Sequence, residues 1–288
     1  MLQNIGIIGN GFVGKAVKES FKKHFEVFVF DKDKRKANVK NLHELINKCK
    51  VVFLCLPTPM NLNDGSCHLG IIEKTLAEID DWCDEMEFYG IEQRTIIIKS
   101  TVQPGTTEKW GKEYKRIDIA FNPEFLTEAN SIEDFKTQNR IIIGSTRKVG
   151  AKIKSIYSKV FPKVPVIKTS ATIAEMVKYF TNCFLAMKVS YANEIYKICE
   201  KLDIDYDKVV EYAVHDERIG RSHLNIPGPD GDFGFGGHCL PKDLNALIHL
   251  AEKKGLGLDI NVLKSILETN NKVRTNRDWE NQEGRAVI

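Results

Sequence analysis

The sequence predicts a two-part α/β protein: a doubly wound sheet of parallel strands, then an all-helical half built on one long helix. Two observations carry this. Through the first 169 residues, short and nearly continuous apolar runs alternate with helical segments, the pattern of parallel strands covered on both faces. From residue 170 to 202 the chain then keeps helical periodicity without a single Gly or Pro, and further helical segments follow.

The elements follow in order. Predicted strands are "NIGIIG" (4–9), "EVFVFD" (26–31), "KVVFLCL" (50–56), "RTIIIKS" (94–100), "RIDIAFN" (116–122), "RIIIGS" (140–145) and "VPVIKT" (164–169). The long helix at 170–202 suits a link between domains and the spine of the second. Shorter helices are expected at about 205–215, 241–254 and 259–275, the middle one opening on Pro241, a residue suited to a first helical turn. The domains are thus expected at 1–169 and 170–275. A polar tail at 276–288, "RDWENQEGRAVI" and the residue before it, is expected to be loosely ordered.

Composition narrows the function classes. A length of 288 residues suits about two domains, and 42% hydrophobic with 28% charged residues is ordinary for a globular protein. A net charge of +3 gives no reason to expect nucleic acid as a partner, and the basic run "DKDKRKANVK" is broken by aspartates, as a solvated face would be. Nothing near Met1 resembles a signal peptide, and no apolar run approaches the roughly 20 residues of a membrane span. The seven cysteines (49, 55, 67, 83, 183, 199 and 239) are odd in number and form neither a CxxC pair nor a metal-like cluster. They read as reduced thiols of a cytoplasmic protein with no metal and no membrane partner.

"GNGFVG" places Gly9, Gly11 and Gly14, with Phe12 and Val13 between the last two, after the first strand and before a helix. Such a turn lets backbone approach a pyrophosphate at a helix N-terminus. Alone it is weak, since a glycine turn without a ligand looks the same. Asp31 ends the second strand about twenty residues on, where a carboxylate binds the adenosine ribose hydroxyls. The acid favours NAD over NADP, tempered by Lys32, Lys34, Arg35 and Lys36 just behind it.

Further signals are "CLPTPM" (55–60), "KSTVQPGTT" (99–107), "NPEFLTEA" (122–129), "EMVKYFTN" (175–182), "DERIG" (216–220) and "GFGGHCLPKD" (234–243). On spacing alone, Lys178 and Asn182 share a helix face, yet a solvated lysine and asparagine would fit equally. Glu124 and Glu128 share a face only if that segment is helical; otherwise their spacing says little. Cys239 stands near a predicted helix N-terminus with Lys242 close by, and both favour a thiolate. Glycines 234, 236 and 237 before it would allow a bulky ligand to approach.

In order and content, the six motifs resemble the UDP-glucose/GDP-mannose dehydrogenase family, from about residue 3 to residue 275. The resemblance implies a Rossmann-type first domain binding NAD through Gly9, Gly11, Phe12, Val13, Gly14, Asp31, Lys36, Thr58, Thr101, Glu128 and Lys242. It implies Cys239 as a nucleophile, with Lys178 and Asn182 polarising the sugar oxygen, Asp243 and Glu128 moving protons and water, and Thr101 holding a water. Glu124, Phe125, Leu126, Lys178, Asn182 and Gly236 would line the nucleotide-sugar substrate, and Arg218 would reach it across a homodimer built on the long helix. Ala129 stands where relatives commonly have glycine.

The implied reaction is a four-electron oxidation at C6 of a nucleotide sugar, UDP-glucose to UDP-glucuronate foremost, through a thiohemiacetal and a thioester. Two other readings stay open: a hydroxyacid dehydrogenase that removes one hydride and has no use for Cys239, and a non-catalytic NAD or nucleotide-sugar binder. The family carries a further C-terminal domain that binds much of the nucleotide, and the resemblance stops before it.

Overall fold

The apolar runs become strands. In the computed structural model, which describes residues 3–90 and 92–288, these are β1 (Asn4–Ile8), β2 (Glu26–Phe30), β3 (Val51–Leu54), β4 (Arg94–Ile98), β5 (Ile117–Phe121), β6 (Ile141–Gly144) and β7 (Val166–Thr169). Met1, Leu2 and Ile91 lie outside the described residues, and with them the expected start of the first domain. The strands form one sheet in the order β2-β1-β3-β4-β5-β6-β7.

Each strand sends alternate side chains to opposite faces. Ile8, Val52, Leu54, Ile96 and Ile98 face one core, with α2 (Leu42–Lys48), α3 (Gly70–Glu85) and α4 (Thr106–Glu113) supplying Leu45, Ile72, Leu76 and Trp110. Ile7, Val51, Phe53 and Ile97 face the other, closed by Val17 and Phe21 of α1 (Phe12–Phe21), Phe135 of α5 (Ser131–Lys136) and Ile153 and Tyr157 of α6 (Arg147–Val160). Burying each such side chain contributes about 2 kcal/mol, so a sheet buried on both faces needs little help from its loops.

The sheet departs from the all-parallel expectation at one place. Phe121 of β5 pairs with Gly144 of β6 in antiparallel sense, while the other neighbours, including β6 with β7, are parallel. The connection explains the reversal. Residues 122–130 form no helix or strand, and α5, at six residues, rises only about 9 Å. No helix long enough to carry the chain back along the sheet follows β5, so β6 enters from the end at which β5 left.

The long helix α7 runs Ala171–Lys201, 31 residues. Its Ala, Lys, Glu and Met content favours helix, and nothing in it breaks one. Ala174, Tyr179, Cys183, Ala186, Ala192 and Cys199 are buried along it, while Ile173, Met176, Phe180, Phe184, Tyr191 and Ile198 are exposed at helical spacing.

The chain divides into two compact units, the first reaching to Thr58 and resuming over Leu69–Lys178, the second holding Pro59–His68 and Tyr179–Ile288. In the second unit α8 (Tyr206–Ala213), α9 (Cys239–Lys253) and α10 (Asn261–Val273) join the rest of α7. Cys183 and Ala186 pack with Leu244, Ile248 and Ile266, and Ala192 and Cys199 pack with Tyr206, Leu224 and Ile226.

The segment after residue 275 is ordered rather than loose. It forms a 3₁₀ turn at Asp278–Asn281, and Trp279, Ala286 and Val287 bury themselves with Met60. The Met60 amide donates to Ala286 O at 2.7 Å, and the Ile288 amide donates to Met60 O at 2.9 Å. Among the described residues, no helix is long and apolar enough to cross a membrane.

Candidate active site

The first unit carries a glycine turn at the carboxyl end of β1. Gly9 adopts φ +88°, and a Cβ there would come within 2.6 Å of Cys55 O, so both the conformation and the space require glycine. A Cβ on Gly14 would overlap the Gly9 carbonyl oxygen, so Gly14 lets α1 close onto the turn. A Cβ on Gly11 would meet open space. Gly11 is the N-cap of α1, and Phe12 and Val13 follow it in the first helical turn, beside the glycine backbone.

Asp31 follows β2 directly, and its carboxylate accepts from the Asn10 amide at 2.6 Å and the Asp33 amide at 2.8 Å. Beside it a cleft of about 330 Å³ is lined by Asn10, Lys15, Lys18, Glu19, Arg35, Lys36 and Ala37. Open space over the middle glycine, a helix that starts beside it and a fixed carboxylate at the next strand fit a dinucleotide. Thr58 and Thr101 stand behind the turns after β3 and β4: both are buried, and Thr58 Oγ1 donates to Thr101 O at 2.9 Å.

The loop after β5 brings other candidates together. Glu124 is buried, and its Oε2 accepts from the Leu126 amide at 2.7 Å. Lys178 of α7, also buried, donates to Glu124 Oε1 at 3.0 Å and to Glu124 O at 2.7 Å, and its ammonium lies 5.6 Å from the centre of the Phe125 ring. Glu128 is exposed on a turn, so the two glutamates share no helix face. The "EMVK" glutamate is structural: Glu175, wholly buried, accepts from the Gly105 amide at 2.6 Å and the Thr107 amide at 2.8 Å, capping α4. Burial raises its pKa, against the pull of those amides.

Lys99 is a site residue that sequence reasoning missed. It is buried, donates to Asn122 Oδ1 at 2.9 Å and to Pro123 O at 3.3 Å, and faces a cleft of about 270 Å³ with Glu124, Phe125 and Arg140. Burial lowers its pKa to about 8. An apolar strand ending in Lys gives no sign that the ammonium turns inward.

The second unit carries the cysteine. Cys239 is the first residue of α9, His238 is the N-cap, and Pro241 falls in the first turn. Asp243 is wholly buried: Lys242 Nζ donates to its Oδ1 at 2.5 Å, and Asn182 Nδ2 donates to its Oδ2 at 2.5 Å. Burial opposes the charge of Lys242, but Asp243 first and then the Cys67 and Cys239 sulfurs raise its pKa. Cys67 is therefore a further neighbour of this site, one that lies far from it in sequence. By contrast, burial pushes the Cys49 and Cys55 thiols up to about 12.

The glycines before Cys239 divide differently from expectation. A Cβ on Gly234 would overlap Asn270, and one on Gly236 would overlap Arg274 and Asp278, so these two make room for the protein's own side chains. Gly237 alone of the three faces open space. Arg218 is exposed and folds back on Asp216, its Nε donating to Oδ1 at 2.9 Å.

A glycine turn on a doubly wound sheet, followed by a helical unit with a cysteine-led helix, defines a dehydrogenase-type α/β protein. The chain belongs to the UDP-glucose/GDP-mannose dehydrogenase family, whose NAD binding domain matches residues 37–161 and whose central domain matches residues 172–272. UDP-glucose 6-dehydrogenase TuaD of Bacillus subtilis (strain 168) is 34% identical over 250 residues, 84% of this chain and 50% of TuaD. A solved UDP-glucose dehydrogenase from the hyperthermophilic archaeon Pyrobaculum islandicum superposes with a TM-score of 0.83 at 27% identity, covering 94% of this chain and 68% of that one. Mycobacterium tuberculosis 3-hydroxyisobutyrate dehydrogenase shares the fold alone, at 14% identity and a TM-score of 0.75, covering 100% of this chain and 96% of that chain. The chain spans about half the length of the curated relatives it matches.

Proposed function

We propose that this chain acts as an NAD-dependent nucleotide-sugar dehydrogenase that converts a C6 hydroxymethyl to a carboxylate, with UDP-glucose as substrate and UDP-glucuronate as product. The observation that carries the reading is Cys239 at the head of α9, in the same turn as Lys242 and the buried Asp243. The helix N-terminus and the ammonium both favour a thiolate. The Gly9–Gly14 turn and Asp31 would hold NAD, and two NAD in succession would supply the acceptors for the two hydrides that the sugar carbon gives up.

The remaining steps belong to the protein. Cys239 Sγ adds to the aldehyde carbon, making it tetrahedral and able to give up a second hydride. Loss of that hydride leaves a thioester, and water then attacks it, releasing the acid and the thiol. Lys178 and Asn182 stabilise the charged oxygen, Asp243, held by Lys242 and Asn182, takes the proton from water, and Thr101 and Glu128 order that water beside the cofactor. Glu124, Phe125 and Leu126 line the sugar. This thiol chemistry suits the reducing cytoplasm.

We also infer a homodimer through α7, with Arg218 serving the partner's substrate. The exposed row of apolar side chains from Ile173 to Ile198 supports it, since such a row on a long helix marks an interaction surface.

Counting reduced cofactor per sugar consumed tests the reaction. Two per sugar is expected from UDP-glucose in a panel of UDP- and GDP-sugars. One per substrate would move the chain to the single-hydride class, whose fold it shares. Cys239→Ser is expected to retain cofactor binding while losing acid formation or trapping an ester. Turnover at the parent rate would end the thioester mechanism.

A further inference from the structure

The turn that leads into Cys239 is held from behind by an ion cluster around a buried arginine, outside the reaction just described. Arg274, directly after α10, has a side chain only 2% exposed. Its Nη2 donates to Asp230 Oδ2 at 2.6 Å and to Asp278 Oδ1 at 3.1 Å, and its Nε donates to Asn276 O at 2.7 Å. Asp232 completes the cluster, 3.5 Å from Arg274 Nε, accepting from the Asn276 amide at 2.8 Å and from Thr275 Oγ1 at 2.8 Å.

Asp278 has a second task. Its carboxylate accepts from the Gly237 amide, at 3.0 Å to Oδ2 and 3.2 Å to Oδ1. Gly237 sits at φ +68°, two residues before Cys239, and Gly236 is pressed so close to Arg274 and Asp278 that only glycine fits. One residue further back, Phe235 is clamped on both sides by Asn270, whose Oδ1 accepts its amide at 2.7 Å and whose Nδ2 donates to its carbonyl at 3.1 Å. The three residues that set the entry of α9 are thus fixed by side chains from α10 and beyond.

We propose that Asp278, backed by Arg274, is a positioning residue for Cys239: it anchors the Gly236–Gly237 turn and so sets the direction in which the thiol leaves the head of α9. This rests on the reading of Cys239 as the nucleophile. Asp278 lies beyond residue 272, where the match to the family's central domain ends. An error of about an ångström at a reacting atom costs on the order of 100-fold in rate, so an anchor behind the turn matters to chemistry without touching substrate.

The test uses Asp278→Ala, which removes the acceptor, and Asp278→Asn, which keeps an acceptor oxygen and loses the charge. In each, thermal melting reports folding. Iodoacetamide labelling followed by peptide mass spectrometry gives the reaction rate of Cys239, with labelling of the denatured chain as the reference. Reduced cofactor formed per sugar reports the thiol-dependent second oxidation. In the Ala variant Cys239 labelling is expected to change by roughly tenfold or more relative to the parent, and the cofactor yield to fall from two towards one. The Asn variant is expected between parent and Ala.

Parent labelling and parent yield in a folded Ala variant would overturn the proposal. Should the Ala variant not fold, the Asn variant decides, and parent values there overturn it equally. If instead Cys239→Ser still forms acid, the nucleophile reading fails while the labelling result stands, so the two failures are separable.

Discussion

Gly11 and Gly14 sit three residues apart and answer to different constraints. Gly14→Ala would drive its methyl into the Gly9 carbonyl, whereas Gly11, with φ −73° and open space around it, accepts a methyl without strain. Gly14→Ala is therefore expected to cost about 1–3 kcal/mol of stability in a denaturant titration. Gly11→Ala is expected to leave stability unchanged and to weaken NADH binding, read by fluorescence. Lys99 gives a pH prediction. Its folded pKa, near 8, lies below the ordinary lysine value, so between about pH 8 and 10.5 the unfolded chain holds more protons than the folded one. Stability contributed at this site therefore rises with pH across that window, by up to about 3 kcal/mol. Lys99→Met should flatten that part of the pH dependence of Tm; an unchanged slope would show that the amine is not desolvated. The glycine turn was legible in the sequence because its spacing is set within six residues, Gly14 closing onto the Gly9 carbonyl. The inward turn of Lys99 was not, because Asn122 and Pro123 become its partners only when β4 and β5 pair.

All seven apolar runs became strands, and the long uninterrupted stretch became α7, because periodicity and the lack of breakers are local properties. Strand direction is not local. An apolar run reads the same either way, so the reversal between β5 and β6 appears only with the shape of the 122–140 connection. Likewise Gly234 and Gly236 look like ligand-facing glycines until α10 and the residues after it bring Asn270, Arg274 and Asp278 against them. The stripe on α7 carries an element-scale prediction. Phe180 is 69% exposed, and its ring stacks with that of Phe184 at 6.2 Å between centres. Phe180→Glu placed in a self-associating face would bury an unpaired charge. The proposed dimer predicts, by light scattering, a dimeric parent and a monomeric variant, with an unchanged Tm at low concentration. A parent that is monomeric at all concentrations would remove the dimer.

At the scale of the molecule, the candidate residues are dealt out between the units: the glycine turn, Asp31, Glu124 and Lys178 to the first, Asn182, Cys239, Lys242 and Asp243 to the second. The boundary falls inside α7, between Lys178 and Tyr179. The "KxxxN" spacing that looked like a single motif is thus one residue from each unit, carried by one continuous helix. What the sequence left hidden was the tail. Trp279 stands alone among polar residues, Ala286 and Val287 belong to a run too short to show a period, and their partner Met60 lies more than two hundred residues away. That partnership means the chain enters the second unit twice, once for the ten residues Pro59–His68 and again after Lys178. The helical half is therefore not a contiguous cassette. A gene fragment starting at Tyr179 would leave the Ala286 carbonyl without its donor and Trp279 without Met60, so swapping this half between relatives requires moving the Pro59–His68 excursion along with it.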